Sequence, residues 1–181
     1  MQIVLLIKLM NSVIYTDTYQ SPCGLLRLGT AGDRLCMCDW QAEKHSRRVD
    51  KRLTESLGAE MRQGFSCVMR QAKEQLDEYF AGRRKTFSVP LLLVGTDLQK
   101  RVWQELQAIP YGETVSYAEQ ARRMGNPNAV RAVANAIGAN ALSIFVPCHR
   151  VISADRTIGG YAGGTEAKRW LQAMEKDNAF R

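Results

Sequence analysis

Hydrophobic and polar residues alternate along the first part of the chain, from residue 13 to residue 40. Leu26 and Leu28, for example, are separated by one charged residue, which is the period of a strand with one buried face. Turn-forming segments at 21–24 and 31–33 interrupt the pattern twice. The pattern therefore predicts three short strands joined by tight turns, arranged as an antiparallel meander.

The spacing of apolar residues then lengthens from two to about four, which indicates helices. Apolar residues recur in this way along the polar segment 43–57, which predicts an amphipathic helix. A second helix is predicted from about Ser66 to Phe80, and Gly82 is well suited to end it. Residues 85–94 are predicted to be extended, with Pro90 placing them at a sheet edge.

Helix-start signals are clear in the second half of the chain. Thr96 and Ser116 are each followed three residues later by Gln or Glu, which is the spacing of a capping box. The helix after Ser116 is predicted to stop at a glycine, and Asn126 with Pro127 then opens the next helix, over about 128–139. Two short helices joined by such a turn form a helix-turn-helix.

The second of these helices, 128–139, is rich in alanine and glycine. Small side chains allow a helix to sit close to a nucleic-acid groove, with Arg131 as the one long side chain that projects from it. The same small residues would equally suit close packing against a neighbouring helix. The helical spacing leaves both interpretations open.

The candidate chemistry lies in the run 144–152, which contains Pro147, Cys148 and His149. The apolar residues predict a buried strand that ends at Pro147, because proline fixes the backbone and removes a ladder donor. Cys148 would then lie at the mouth of this strand, followed by one of the two histidines of the chain. A nearby base converts a thiol into a nucleophilic thiolate, so we predict a reactive cysteine. A buried structural cysteine is the alternative.

A glycine-rich loop, 158–164, and a final helix, 165–176, follow the cysteine. The loop lacks the ending of a phosphate-binding loop, so its predicted role is close backbone approach to a ligand or to the cysteine strand. Glu175 neighbours the apolar face of the helix. A partly buried carboxylate needs a partner, for which His149 is the candidate, whereas a solvated surface glutamate is the alternative.

Composition narrows the functional classes. The 181 residues suffice for one large or two small domains, and a formal net charge of +7 permits nucleic-acid binding without demonstrating it. Five irregularly spaced cysteines favour a reducing compartment, and we expect the cytoplasm. Cys36, Cys38 and His45 could be imagined as metal ligands, but alternate strand positions make the thiols core neighbours, so we expect no metal and no cofactor. The apolar segment 1–10 is too short to span a bilayer, and no membrane partner is expected.

Several motifs together resemble the methylated-DNA–protein-cysteine methyltransferases, which are the O6-alkylguanine-DNA alkyltransferases. The resemblance covers most of the chain and is strongest from residue 96 to residue 175. It is carried by Pro147-Cys148-His149-Arg150-Val151-Ile152, Ile109-Pro110-Tyr111-Gly112-Glu113-Thr114, Ser116-Tyr117, Asn126-Pro127 with Arg131-Ala132-Val133, and Gly160-Tyr161-Ala162-Gly163-Gly164. It implies an α+β protein. Residues 1–92 would form an N-terminal α/β domain with a small antiparallel sheet of ribonuclease-H-like type, and residues 93–181 a mainly helical domain with the helix-turn-helix.

The resemblance also implies catalytic roles. Cys148 resembles the alkyl acceptor, and His149 with Glu175 resembles the relay that activates it through a water molecule. Asn140 resembles the hinge asparagine that ties the recognition helix to the active-site turn. Tyr117 resembles the residue that crowds the target phosphate and contacts the flipped base.

Roles in binding follow from the same resemblance. Arg131 resembles the arginine finger that fills the vacated place in the base stack, on a helix surface that includes Ala129 and Ala132. The pocket for the guanine would be formed by Ser143, Val151, Tyr161 and Ala162.

The implied function is DNA repair by direct, irreversible transfer of the alkyl group from O6-alkylguanine to Cys148, with O4-alkylthymine as a further candidate substrate. The partner would be double-stranded DNA, bound by a monomer through a minor-groove helix-turn-helix that flips the base, and each molecule would act once. One alternative is a non-catalytic lesion-binding sensor on the same scaffold, although such relatives lack the cysteine. Another is a thiol hydrolase that uses Cys148 and His149, turns over repeatedly and ignores DNA.

Overall fold

The computed structural model describes residues 12–155 and 157–179, and it begins with a four-stranded sheet. The strands are β1 (Ser12–Ser21), β2 (Gly24–Ala31), β3 (Arg34–Trp40) and β4 (Ala59–Gln63). The first three form the predicted antiparallel meander. The sheet as a whole is mixed, which corrects the antiparallel prediction, because β4 pairs with β1 in parallel in the order β3-β2-β1-β4. Strand β4 has only two apolar residues, Ala59 and Met61, so its hydrophobic alternation is too short to reveal a strand. The apolar segment 1–10 lies outside the described residues.

Two helices cover the two faces of this sheet, as their apolar spacing predicts. Helix α1 (Glu43–Leu57) buries Val49 in a cluster with Ile14 of β1. Helix α2 (Cys67–Phe80) buries Leu76 in a second cluster with Leu28 of β2. The two helices therefore lie on opposite sides of the strands, and the cluster beneath α2 continues into the second half of the chain.

A β-bulge separates the two cysteines of β3. The register between β2 and β3 shifts opposite Gly29 and Thr30. As a result Cys36 packs in the α1 cluster and Cys38 in the α2 cluster, so the thiols are core residues but do not share a face. Within the described parts of the chain, no three His, Cys, Asp or Glu side chains group as metal ligands.

The predicted extended stretch 85–94 runs along the free edge of β3. The backbone N–H of Leu35 donates to Pro90 O at 2.9 Å, and Leu92 N–H donates to Leu35 O at 2.8 Å. These two bonds confirm the edge position. The stretch forms only one isolated bridge, between Leu35 and Leu91.

The second half is mainly helical, which confirms the α+β class. Its elements are α3 (Asp97–Leu106), β5 (Val115–Ser116), α4 (Tyr117–Arg123), α5 (Val130–Gly138), β6 (Val151–Ile152) and α6 (Gly164–Ala179). Strands β5 and β6 pair in parallel, and α4 packs against α5. In the described ranges, no helix combines the length and the apolar character needed to cross a bilayer.

The helix starts agree with the sequence at two of three positions. Thr96 forms a complete capping box at α3. The Ser116 hydroxyl accepts from the backbone N–H of Glu119 at the start of α4. The prediction for Asn126 was wrong: its side chain makes no capping bond, and residues 127–129 form a 3-10 turn before α5 begins. Proline at the first position of that turn fits either type of helix, so the signal did not distinguish them.

The run that leads to the cysteine is a buried loop, and the predicted strand is absent from residues 141–147. Cys38 N–H of β3 donates to Ala141 O, and Ser143 N–H donates back to Cys38 O, both at 2.8 Å. The chain then reverses, with Ile144 at a φ of 75°, which is rare for a β-branched residue. A short apolar run reads as a strand whenever it is buried on all sides, and this caused the error.

Candidate active site

Cys148 opens a 3-10 turn, Cys148–Arg150, directly after the buried loop. Its backbone N–H donates to Val146 O at 2.8 Å, and the residue is 7% exposed. The turn takes the place of the predicted strand mouth. The backbone of the thiol is therefore fixed, and the sulfur is nearly withdrawn from water.

Asn140, which follows α5, connects the helix, the loop and the thiol. Its Nδ2 donates to Val146 O at 2.9 Å and to Cys148 Sγ at 3.1 Å. Its Oδ1 accepts from the backbone N–H of Leu142 at 2.9 Å. One buried amide thus holds both ends of the loop and supplies a hydrogen-bond donor to the sulfur.

His149 and Glu175 form the pair that the sequence predicted. His149 Nε2 lies 2.8 Å from Glu175 Oε1, and both side chains are buried, which excludes the solvated alternative for Glu175. Because Nε2 faces a carboxylate, we assign the imidazole proton to Nε2. His149 Nδ1 is buried without a hydrogen-bond partner among the described residues. This nitrogen therefore has a lone pair that can accept a proton.

Glu175 is also bonded by groups that the sequence did not indicate. Tyr79 Oη donates to Oε1 at 2.6 Å, and Arg150 donates from Nε and Nη2 to the two carboxylate oxygens at 2.9 Å each. The backbone N–H of Gly112 donates to Oε2 at 3.2 Å. Gly112 has a φ of 80°, and a Cβ at this position would lie 2.8 Å from Ala179 Cβ, so glycine is required.

The electrostatic environment defines the resting protonation states. Burial raises the pKa of Cys148, although the Asn140 hydrogen bond lowers it in part. Burial also lowers the pKa of His149, against the opposing effect of Glu175. Burial alone would raise the pKa of Glu175, but its ion pairs hold that pKa well below the ordinary range. The resting site therefore contains a thiol, a neutral imidazole and a carboxylate.

The inward face of α6 carries two further residues that the sequence reasoning missed. Gln172 Nε2 donates to His149 O at 2.6 Å. Lys168 is fully buried. Lys168, Gln172 and Glu175 are spaced by four and three residues, so they lie along one face of the helix. That spacing was the signal available in the sequence.

A cleft of about 520 Å³ lies between α1, α5 and the glycine-rich loop. Two of its lining residues, Tyr117 and Tyr161, are close enough to Cys148 for its charge to raise their pKa, in addition to the larger effect of burial. Tyr117, Tyr161 and Ala162, all named from the sequence, line it together with Arg48 and His45 of α1. Burial and the nearby Cys148 raise the pKa of Tyr117, so its hydroxyl stays protonated and can donate. The cleft combines apolar walls with a few polar groups, as ligand sites do.

Three buried polar atoms lie next to one another at Tyr161, which lines this cleft. Burial raises the pKa of Tyr161, whereas hydrogen bonds from the side chains of Trp40 and Ser143 to its hydroxyl lower it in part. The rings of Trp40 and Tyr161 meet edge to face at 5.8 Å. The Tyr161 hydroxyl is therefore held towards Trp40 and Ser143 in the resting protein. Val151, the fourth predicted pocket residue, is fully buried in β6, so only its backbone could contact one.

Helix α5 has one buried and one open face. Trp103 Nε1 donates to Ala136 O at 2.8 Å, and Ala136 is buried there. Arg131 and Ala132 are exposed, and Ala129 in the preceding turn is half-buried. The small residues therefore serve both interpretations, because some pack against α3 and others leave an open helix surface around Arg131.

Helix α1 holds the C-terminal end of α5 through His45. His45 Nδ1 lies 3.0 Å from Asp39 Oδ1, and Nε2 lies 3.0 Å from Gly138 O. Both partners are acceptors, so the geometry requires an imidazolium that donates from both nitrogens. Arg52 Nη2 also donates to Ala139 O at 2.8 Å. Two cations thus face the negative end of the α5 dipole.

We expect the contribution of His45 to stability to depend on pH. The hydrogen bond to Asp39 raises the pKa of His45 in the folded protein, against burial and the charge of Arg52. The stabilisation should be complete below the unfolded pKa, about 6.5, and should vanish as the pH rises through the raised folded pKa. His45→Gln should cost about 1–2 kcal/mol at pH 5.5 and less at pH 9, measured by urea unfolding of both proteins. An equal cost at both pH values would contradict an imidazolium.

Comparison with known proteins identifies relatives over nearly the whole chain. The family model described as 6-O-methylguanine DNA methyltransferase, ribonuclease-like domain, matches residues 14–93, and the DNA binding domain model of the same family matches residues 97–177. A methylated-DNA–protein-cysteine methyltransferase of Bacillus subtilis is 43% identical over 169 residues, covering 90% of this chain and 95% of the relative. The relative from Haemophilus influenzae is 37% identical, covering 91% and 88%.

Two solved structures of a methyltransferase are also similar to this chain over most of its length. The O6-methylguanine methyltransferase of Mycobacterium tuberculosis has a TM-score of 0.77 at 41% identity, covering 91% of this chain and 94% of that one. A structure of the M. tuberculosis protein in complex with DNA has a TM-score of 0.76 at 40% identity, with the same coverage. The chain therefore belongs to the methylated-DNA–protein-cysteine methyltransferase family.

Proposed function

We propose that this protein repairs DNA by transferring the alkyl group of O6-alkylguanine irreversibly to Cys148. One observation carries the proposal: a buried thiol is bonded by Asn140 next to a histidine whose free nitrogen can accept a proton. The His149–Glu175 pair orients that histidine. Family membership supplies the substrate class, because the curated relatives are named for methylated DNA.

The transfer begins with loss of the thiol proton. Since Cys148 rests as a thiol, His149 Nδ1 takes its proton, through a bridging water, as the substrate arrives. The sulfur forms a bond to the alkyl carbon, and the bond from that carbon to O6 breaks. The electron pair stays on the guanine, where the Tyr117 hydroxyl and the Ala162 amide stabilise it. The proton held by His149 returns to the base through solvent and restores neutral guanine.

The product explains why one molecule would act once. A thioether is a poor leaving group, and the site as described contains no second nucleophile placed to remove the alkyl group. Asn140 and the 3-10 turn hold the sulfur in place. The protein would therefore be consumed stoichiometrically by the lesions it repairs.

DNA would be bound through α4 and α5, used as a helix-turn-helix in the minor groove. Arg131 and Ala132 form the exposed face of α5, so the helix could sit close to the groove while Arg131 takes the place of the extruded base. Flipping costs a few kcal/mol and is easier at a damaged pair. Contacts to phosphates would draw on the net charge of +7 and depend on salt.

The flipped base would enter the cleft beside Tyr117 and Tyr161. The Tyr161 hydroxyl, which hydrogen-bonds with Ser143, would be one of the polar groups beside the base. The backbone at Cys148, Val151 and Ala162 would bond the edge of the guanine. Cys148 is a free thiol in this structure, as the reaction needs, and a reducing compartment would keep it so.

The decisive experiment measures the mass of the intact protein after incubation with duplex DNA that contains O6-methylguanine. Wild-type protein should gain one methyl group per molecule, and Cys148→Ser should gain none. A second duplex with O4-methylthymine tests that substrate. Repeated release of product without a mass gain would indicate a hydrolase, and binding without a mass gain would indicate a sensor.

The flipping step can be tested separately with Arg131→Ala. This variant should transfer the methyl group more slowly from duplex DNA but at an unchanged rate from the free nucleoside, because only the duplex needs a replacement in the stack. Equal slowing on both substrates would argue against the role of Arg131.

A further inference from the structure

Lys168 is a buried charge without a hydrogen-bond partner. Its residue is 0% exposed, and its Nζ makes no hydrogen bond with the described residues. Lysine is almost never buried unless it is paired, because removing an ammonium from water is costly. An unpaired lysine in this place therefore needs an explanation other than stability.

The position of Lys168 on α6 directs it to the cysteine turn. Gln172 and Glu175, on the same face of the helix, bond the backbone and side chain of His149. Helix α6 packs on the 3-10 turn that begins with Cys148. Lys168 lies one helical turn before Gln172, so its side chain belongs to the same buried layer.

Among the described residues, Lys168 is the cation whose charge acts on the Cys148 thiol. Arg150 is engaged by Glu175, and His149 is neutral in the resting state. Lys168 lowers the pKa of Cys148, whereas Asp39 raises it, and burial lowers the pKa of Lys168 itself. The groups that couple to the thiol are Asp39, Cys38, Tyr117, Tyr161 and Lys168, and the charge of Lys168 also lowers the pKa of His149, after the larger effect of burial.

We propose that Lys168 is a positioning residue that supplies the counter-charge for the Cys148 thiolate. The ammonium is buried and unpaired in the resting protein, and it gains its partner when the thiol loses its proton. The proposal rests on the function proposed above. Helix α6 would then have a second role besides positioning His149, because its lysine would lower the free energy needed to form the buried Cys148 thiolate.

Lys168→Met tests this role because methionine is close to lysine in length and carries no charge. Two readouts need no DNA: the thiolate absorbance near 240 nm, taken as the difference from the matching Cys148→Ser protein, and the rate at which iodoacetamide alkylates Cys148. The midpoints of both pH profiles should move to higher pH by about one unit. At a pH below the midpoint, the rate of alkylation should therefore fall about tenfold. At high pH, where the thiol is ionised in both proteins, the absorbance and the alkylation rate of the variant should equal those of the wild type. Lys176→Met, on the exposed side of the same helix, is the matched control and should leave the profile unchanged.

Thermal unfolding separates this role from a structural one. Removing an unpaired buried charge should leave the melting temperature of Lys168→Met equal or higher, while reactivity falls. A lower melting temperature with loss of reactivity at every pH would overturn the proposal, and so would an unchanged pH profile. Lys168→Gln, polar but neutral, gives the same comparison if the methionine variant fails to fold. Because these readouts use no DNA, a failure to transfer methyl groups from DNA would be seen separately.

Discussion

Glu175→Ala is expected to lower the free energy of unfolding by about 3–5 kcal/mol, which is the largest loss of stability that we expect from a single substitution in this protein. The variant leaves the Arg150 guanidinium buried without its carboxylate. It also removes the acceptor of the Tyr79 hydroxyl and of the Gly112 amide. Each buried donor left unpaired carries a desolvation penalty of its own. Urea unfolding at neutral pH measures the loss.

Two further variants show whether the ionic network causes this effect. Glu166 lies on the exposed part of α6, where it pairs with Arg169, so Glu166→Ala should change stability by no more than about 0.5 kcal/mol. Glu175→Gln keeps the shape of the side chain and removes its charge, so its loss of stability should lie between the losses of Glu166→Ala and Glu175→Ala. If Glu175→Ala proved as mild as Glu166→Ala, the network would not stabilise the fold as described.

Asn140→Ala is expected to slow alkyl transfer by about 30- to 150-fold. Asn140 donates the hydrogen bond to Cys148 Sγ, and a bond to a charged group contributes about 2–3 kcal/mol, which is lost when the thiolate forms without it. The Val146 carbonyl and the Leu142 amide also lose their partner, so the loop should loosen. Single-turnover transfer from methylated duplex DNA measures the rate.

An asparagine outside the site provides the control for this effect. Asn178 donates to Met174 O within its own helix, so Asn178→Ala should transfer at nearly the wild-type rate. The iodoacetamide reactivity of Asn140→Ala should move to higher pH, because a donor to the thiolate is lost. A normal rate in Asn140→Ala would show that the amide positions the loop without assisting the sulfur.

Local signals in the sequence predicted the helices and the meander well. The capping box at Thr96 and the apolar spacing over 43–57 each depend on residues that are close together in the chain. The sequence alone is therefore enough to predict these helices. The segment 144–147 was misjudged as a strand because burial comes from distant segments, and a buried loop is as apolar as a buried strand. Strand β4 was missed for the opposite reason, since its polar residues face solvent at a sheet edge.

The sequence motif identified the cysteine and the histidine of the site, whereas it did not identify the side chains that support them. The residues Cys148 and His149 are adjacent, and the resemblance brought Glu175 to them. The hydrogen bond from Tyr79 to Glu175 joins positions far apart in the chain, and nothing in the segment around Tyr79 indicates it. Lys168 shares a helix face with Glu175, but its complete burial is evident only from the packing of α6.

The hydrogen bond from Tyr79 to Glu175 has a consequence for how the protein can be divided. Tyr79 belongs to α2, before the boundary predicted at residues 92 and 93, whereas Glu175 belongs to the last helix. A shortened protein that starts at residue 93 would retain the nucleophile but lose a donor to the carboxylate that orients its base. In the proposed reaction the N-terminal half therefore supports the base through Tyr79, and we expect a minimal active version of this protein to need α2 or a replacement for its hydroxyl.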